Sequence, residues 1–131
     1  MVGARKKENR EPLTTRQKLV SIMVSGSVMA AGLLLFKAAP MYLWGSDITF
    51  DASFHIVFVV FALHVCWFFV DQVPVWRMPF LVVSTGVVVI VALHRIIEGA
   101  HDEFGVMLGL MVACTGVVAA HWPYFSGRLS F

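Results

Sequence analysis

The sequence predicts an all-α membrane protein in which four transmembrane helices form a bundle and both termini are cytoplasmic. Composition is the first reason, because 59% of the 131 residues are hydrophobic and only 14% are charged, a balance far from that of soluble domains. The second reason is that four stretches contain no Asp, Glu, Lys or Arg, and each approaches the roughly 20 residues that cross a bilayer as a helix. None of them alternates strictly between apolar and polar residues, as transmembrane strands do. The stretches are residues 19–36, 52–70, 78–94 and 104–123.

These stretches divide the chain into three parts. We expect a basic cytoplasmic tail at residues 1–18, a four-helix transmembrane domain at 19–123 and a cytoplasmic C-terminal tail at 124–131. The first apolar stretch is longer than the hydrophobic part of a signal peptide, so we expect this helix to be retained. The predicted helices cover about 19–37, 53–70, 78–96 and 104–122.

The placement of Lys and Arg predicts the orientation in the membrane. Eight of the ten fall on the side that holds both termini, and only Lys37 and Arg95 fall on the other side. Because cytoplasmic segments carry an excess of Lys and Arg, both termini are predicted to be cytoplasmic. The eight are Arg5, Lys6, Lys7, Arg10, Arg16, Lys18, Arg77 and Arg128.

Several other features have ordinary membrane explanations. The basic N-terminal tail is expected to touch anionic lipid head groups, and nucleic acid is not an expected partner. Cys66 and Cys114 lie inside apolar stretches, which favours small buried side chains over a disulfide. Small residues four apart predict close helix packing. The pairs are Gly26 with Ala30 and Gly105 with Gly109.

Most ionisable side chains beyond the tail gather at the predicted outer face. They lie in segments 37–55 and 94–103, which reach the same membrane level although about 50 residues separate them. Side chains from both segments can therefore converge, as a functional site requires. The polar residues are Lys37, Asp47, Asp51, Ser53, His55, His94, Arg95, Glu98, His101, Asp102 and Glu103.

Taken singly, these residues also have structural explanations. Asp51 and Ser53 are good N-cap types for the second helix. His55 lies one turn into that helix, and a histidine at such a position often packs against its neighbours or extends its polar tip to the membrane interface. Arg95 suits a helix C-terminus, where a cation interacts favourably with the helix dipole. The spacing of Arg95 and His101 adds a further interpretation.

The stretch from Leu93 to Gly109 resembles the third signature of the phosphatidic acid phosphatase type 2 superfamily, also called the lipid phosphate phosphatase and vanadium haloperoxidase superfamily. That signature is Ser-Arg, five residues, His, three residues, Asp. Arg95 and His101 have this separation, and Glu98-Gly99-Ala100-His101 matches residues that are common before the His in this signature. The second signature, Pro-Ser-Gly-His, is expected to begin a helix about 40 residues earlier, where Ser53 and His55 align with it.

The resemblance extends from about Lys37 to the C-terminus and implies the last four of the six helices usual in that family. The sequence departs from the signatures at several positions. Lys37 stands where the first signature begins, but Trp44 follows without its Arg-Pro. His94 replaces the Ser before the Arg, and Gly105 replaces the supporting Asp. These departures favour an alternative, a non-catalytic relative that binds anionic lipid head groups.

By resemblance, the protein hydrolyses a lipid phosphomonoester or a polyprenyl diphosphate at the outer face of the cell membrane, without a metal or other cofactor. His101 is then the nucleophile that forms a phospho-histidine, and His55 protonates the leaving oxygen. Arg95, Lys37 and Ser53 bind the substrate. The residues expected to support them are Glu98, Asp102, His94 and Asp51.

Two further alternatives remain open. The five His residues admit haem or metal binding, with His55 and either His94 or His101 as a pair at matched depth. A small four-helix chain also suits a structural subunit of a membrane complex, or a homo-oligomer.

Overall fold

The computed structural model describes residues 14–45, 52–99 and 103–128, with the side chains of the last range described up to 122. Within these ranges the chain is helical and contains no strand. Its helices are α1 (Thr15–Trp44), α2 (Phe54–Val70), α3 (Pro74–Ile97) and α4 (Glu103–Arg128). Three segments are long and apolar enough to cross a membrane, namely Thr15–Trp44, Pro74–Ile97 and Glu103–Trp122. Helix α2 is apolar but shorter, with 17 residues.

Helix α1 begins earlier than predicted because its first turn is capped. The backbone N–H of Gln17 donates to Thr14 Oγ1 at 3.3 Å, and the backbone N–H of Thr14 donates to Gln17 Oε1 at 2.9 Å. This reciprocal capping box satisfies N–H groups that a helix start otherwise leaves without partners. The helix therefore includes residues 15–18, which the sequence pattern assigned to the tail.

Helix α1 also ends later than predicted, at Trp44 instead of about residue 37. Residues Leu34–Ala38 form a π-helical turn, in which the N–H of Ala39 donates to the carbonyl of Leu34. Pro40 has no N–H, and in a regular helix its ring meets the carbonyl four residues before it, here that of Phe36. The wider turn frees this carbonyl, which accepts a hydrogen bond from Ala52 N at 3.4 Å.

The bounds of the other helices lie closer to prediction. Helix α3 begins at Pro74, where a first-turn proline is well tolerated. Arg77 closes the turn before it, since its Nε lies 2.7 Å from the carboxylate of Asp71 and its Nη2 donates to the Asp71 carbonyl at 2.8 Å. Gly99, with φ of 66°, ends α3 in the left-handed conformation that glycine adopts without strain. Helix α4 continues to Arg128, past the predicted 122.

Helices α1 and α4 pack along most of their length and run antiparallel. Ser21, Ser25 and Met29 recur every four residues on α1 and are buried. Ser21 Oγ donates to the carbonyl of Ala120 at 3.5 Å, and a Cβ on Gly116 would lie 2.6 Å from Met29 Cγ. Small residues thus bring the two helices together, as in many membrane proteins.

Helix α2 lies against both α1 and α4, and α3 packs mainly against α2. The core consists of Met29, Val57, Val112 and Ala113. Helix α3 contributes no buried residue, so it is the most peripheral of the described helices, and most of its large apolar side chains are exposed. The predicted pair Gly26 and Ala30 is divided, because Gly26 approaches Phe61 of α2 whereas Ala30 is exposed.

The bundle has two ends, which we name by their arginines. The Arg95 end contains the start of α2, the end of α3 and the start of α4. The Arg77 end contains the end of α2 and the start of α3, joined by a three-residue turn at 71–73.

Candidate functional site

The start of α2 is held tightly on α4. Ser53, the N-cap residue, is fully buried, and its backbone N–H donates to the carbonyl of Gly105 at 3.0 Å. The sequence favours a side-chain cap at Ser53, but its hydroxyl makes no capping hydrogen bond and has no partner within the described residues. This contact fixes the first turn of α2, which carries His55.

The end of α3 presents a basic and an acidic group together. Glu98 Oε2 lies 3.3 Å from Arg95 Nη1 and 3.3 Å from His94 Nδ1. The side chain of Arg95 is 19% exposed, and its Nε is buried without a hydrogen-bond partner in the described part of the chain. One donor of the guanidinium is therefore engaged by Glu98, while the buried Nε–H has no acceptor among the described residues.

A cavity of about 580 Å³ lies between these two helix ends. His55 from α2 and His94, Arg95 and Glu98 from α3 form its polar part. Its apolar wall consists of Phe54, Phe58, Val59, Ile90 and Val91. The sequence places these four polar residues at one level, and the structure brings them into one cavity.

The charged side chains that line this cavity are one cation, Arg95, and one carboxylate, Glu98. The guanidinium of arginine is a cation, and the first turn of α2 adds the positive end of a helix dipole beside His55. Glu98 adds one negative charge beside Arg95. An anionic ligand therefore has to displace the Glu98 carboxylate from Arg95 or share the guanidinium with it. The cavity therefore combines a cation, a histidine that can donate or accept a proton, and an apolar wall.

Other residues predicted for the site lie elsewhere or outside the described ranges. Lys37 is half-buried on the π turn of α1 and does not line the cavity. Ser53, whose backbone is bound to α4, does not line the cavity either. His101, Asp102 and Asp51 lie outside the described residues.

The sequence interpretation missed a pair of histidines nearer the Arg77 end. The rings of His64 and His121 are 5.3 Å apart and perpendicular, and Phe68 packs on both. His64 is nine residues along α2 from His55, which excluded it from the predicted cluster. His64 and His121 lie at a similar depth along their predicted helices, and this similarity was the signal that could have indicated the pair.

The described side chains were also compared with the requirements of a metal site, and the chain was compared with known proteins. Within residues 14–45, 52–99 and 103–128, no three His, Cys, Asp or Glu side chains converge so as to hold a metal ion. No known protein family, curated protein or solved structure matches this chain.

Proposed function

We propose that the protein binds a phosphorylated lipid in the cavity at the Arg95 end and hydrolyses its phosphate. The observation that carries this proposal is that His55 and Arg95, distant in sequence, line the same cavity. A cation that holds phosphoryl oxygens and a histidine that transfers a proton are the groups that phosphate hydrolysis requires.

The proposal includes the arrangement of the chain in the membrane. Helix α2 is then a fourth transmembrane span, since its 17 residues extend about 25 Å and it lies beside α1 and α4. Both termini are cytoplasmic, and the Arg95 end faces outward at the cell membrane. The concentration of Lys and Arg at the opposite end supports this orientation.

The apolar wall of the cavity supports a lipid substrate. Phe54 and Phe58 are exposed and their rings stack with centroids 6.0 Å apart. Beside Arg95 they provide a surface for acyl or prenyl chains while the head group contacts the cation. The substrate class is a lipid phosphomonoester or a polyprenyl diphosphate.

The proposed reaction proceeds in two steps. His101 attacks phosphorus, a bond from nitrogen to phosphorus forms, and the bond from phosphorus to the leaving oxygen breaks while His55 gives that oxygen a proton. A water molecule then attacks phosphorus and gives a proton to His55, and the bond from phosphorus to the nitrogen of His101 breaks, which releases phosphate. Arg95 stabilises the charge on the phosphoryl oxygens in both steps, and the role of His101 rests on the sequence resemblance alone.

Phosphate release from detergent-solubilised protein tests the proposal. The substrates are phosphatidic acid, lysophosphatidic acid and a polyprenyl diphosphate, assayed between about pH 5 and pH 9, where histidine changes charge. We expect turnover that disappears in His101→Ala and falls in His55→Ala, whereas His121→Ala, at the other end, retains it. If no substrate is turned over at any pH in this range, the hydrolase proposal is wrong.

A second candidate is a non-catalytic protein that binds the head group of an anionic lipid. Two observations favour it. Glu98 already engages Arg95, and Gly105 has no carboxylate at the position where the family that the sequence resembles has its supporting Asp. Binding of phosphatidic acid that depends on Arg95, without phosphate release, distinguishes this candidate from the hydrolase.

A further inference from the structure

A second cavity, of about 450 Å³, lies between α2, α3 and α4 and shares no residue with the first. Its wall contains no Asp, Glu, Lys or Arg. A charged ligand entering it would lose its hydration without gaining an ionic partner, which is costly. The lining therefore favours an uncharged ligand.

Two buried polar atoms in the lining residues lack partners. His64 is 6% exposed, and its Nε2 makes no hydrogen bond within the described residues. The hydroxyl of Ser84, on the facing side of the cavity in α3, is likewise buried without a partner in the described part of the chain. Buried polar atoms are nearly always hydrogen-bonded in folded proteins. Both atoms have almost no accessible surface, so each reaches a ligand in the cavity only when its side chain rotates, and such a rotation gives the atom the partner that it lacks.

The aromatic residues of the wall indicate a flat ligand. Trp67 of α2 and Phe80 of α3 lie with ring centroids 5.9 Å apart, and His64 and His121 contribute two more rings. Aromatic side chains pack favourably on the faces and edges of a planar ring. The volume of the cavity is also within the range of small-molecule sites in proteins.

The cavity is accessible from the side of the bundle. Leu81 and Val89 of α3 line it and are 47% and 50% exposed, and Cys114 of α4 lines it and is exposed. Because α3 and α4 contact each other only sparsely, the cavity opens between them. In a membrane, a ligand that dissolves in the bilayer can enter there directly.

We propose that this cavity binds an uncharged, bilayer-soluble aromatic molecule that carries carbonyl or hydroxyl groups, of the chemical class of quinones and quinols. The side chains of His64 and Ser84 rotate toward the ligand, so that His64 Nε2 and the Ser84 hydroxyl form hydrogen bonds with its oxygens, and Trp67 packs against its ring. A lipid acyl chain can fill the same space but leaves both polar atoms without partners. The proposal does not depend on the phosphatase proposal, because the two cavities have no residue in common.

Trp67 provides a direct measure of binding. The probe is a fully substituted benzoquinone with a decyl chain, which quenches tryptophan fluorescence on contact. A variant with Trp44→Phe, Trp76→Phe and Trp122→Phe retains Trp67 alone and reports on the cavity. A variant with Trp67→Phe, Trp76→Phe and Trp122→Phe retains Trp44 alone and reports on probe dissolved in the detergent. We expect saturable quenching of Trp67 and linear, unsaturated quenching of Trp44.

Two substitutions test the hydrogen bonds. In the Trp67-only background, His64→Phe keeps the aromatic volume but removes the polar atom, and Ser84→Ala removes the hydroxyl. Each is expected to weaken binding by roughly three- to tenfold, the effect of losing one buried hydrogen bond. His55→Phe, in the other cavity, serves as the matched control and leaves the affinity unchanged.

The polarity of the ligand is tested with decylbenzene, which has the chain and ring but no oxygen. We expect it to displace the quinone poorly. If decylbenzene displaces it at equal concentration, or if His64→Phe and Ser84→Ala both bind the quinone as tightly as the parent, the cavity is an apolar groove for lipid chains and the proposal is overturned. If His64→Phe does not fold, His64→Leu, which also removes the polar atom, replaces it with the same expected loss of affinity.

Discussion

The carbonyl oxygen of Ser53 lies 2.9 Å from the point where a Cβ on Gly109 would stand. This distance is shorter than an ordinary contact, so the first turn of α2 and the second turn of α4 approach as closely as they do only because residue 109 is glycine. The contact also positions His55, two residues after Ser53.

We expect Gly109→Ala to destabilise the fold by roughly 1–3 kcal/mol, as overpacking of a close contact does. Thermal unfolding in detergent, followed by circular dichroism, measures the change. Gly86→Ala is the matched control, because nothing lies within 4 Å of a Cβ at that position of α3. Equal losses in the two variants would contradict the contact.

Removing the charge of Arg95 is expected to abolish most head-group binding. Arg95→Gln loses charged hydrogen bonds to the phosphate, which corresponds to a reduction in affinity of roughly tenfold or more. Binding of fluorescent phosphatidic acid in mixed micelles measures it. Arg77→Gln, which removes an arginine at the opposite end, should bind phosphatidic acid with unchanged affinity. A similar loss of affinity in Arg77→Gln would mean that binding depends on the net charge of the protein and not on the cavity.

The carboxylate of Glu98 is expected to compete with the bound phosphate for Arg95. Glu98→Gln keeps the shape of the side chain but removes its negative charge, so phosphatidic acid should bind several-fold more tightly. The same micelle assay applies. Weaker binding by Glu98→Gln would show instead that the carboxylate is needed to hold Arg95 and His94 in place.

Loss of the α1 cap is expected to have a local effect. Thr14→Ala removes the acceptor of the Gln17 N–H, at a cost of about 1 kcal/mol. Hydrogen exchange of the Gln17 and Lys18 amides should accelerate, while exchange near Met29 stays unchanged. Thr85→Ala, which removes a hydroxyl that donates to the Leu81 carbonyl within α3, provides a control that leaves α1 exchange unaffected.

The apolar stretches predicted the helices well because long uncharged segments have few alternatives in a membrane. The ends of α1 were missed for local reasons that hydropathy does not record. A reciprocal cap at Thr14 starts the helix inside a basic segment, and the π turn carries it past Pro40.

The candidate site was predictable in part. Residues 94, 95 and 98 occupy adjacent turns at the end of α3, and His55 begins the neighbouring helix, so sequence spacing and topology place them at one level. Which face each side chain takes depends on packing. The backbone of Ser53 contacts Gly105 and Gly109 of α4, whereas His55, two residues later, lines the cavity toward α3.

The π turn at Leu34–Ala38 also sets the rotational register of α1. An extra residue in one turn rotates everything after it by about 100° relative to a continuous α-helix. The seam formed by Ser21, Ser25 and Met29 therefore does not continue in line beyond the turn, and the segment Ala39–Trp44 presents a different face to its surroundings. Deleting a single residue from this turn would restore an unbroken helix and rotate the segment by about a quarter of a circle. The number of residues in the π turn, more than their identity, therefore determines the direction in which the last side chains of α1 point.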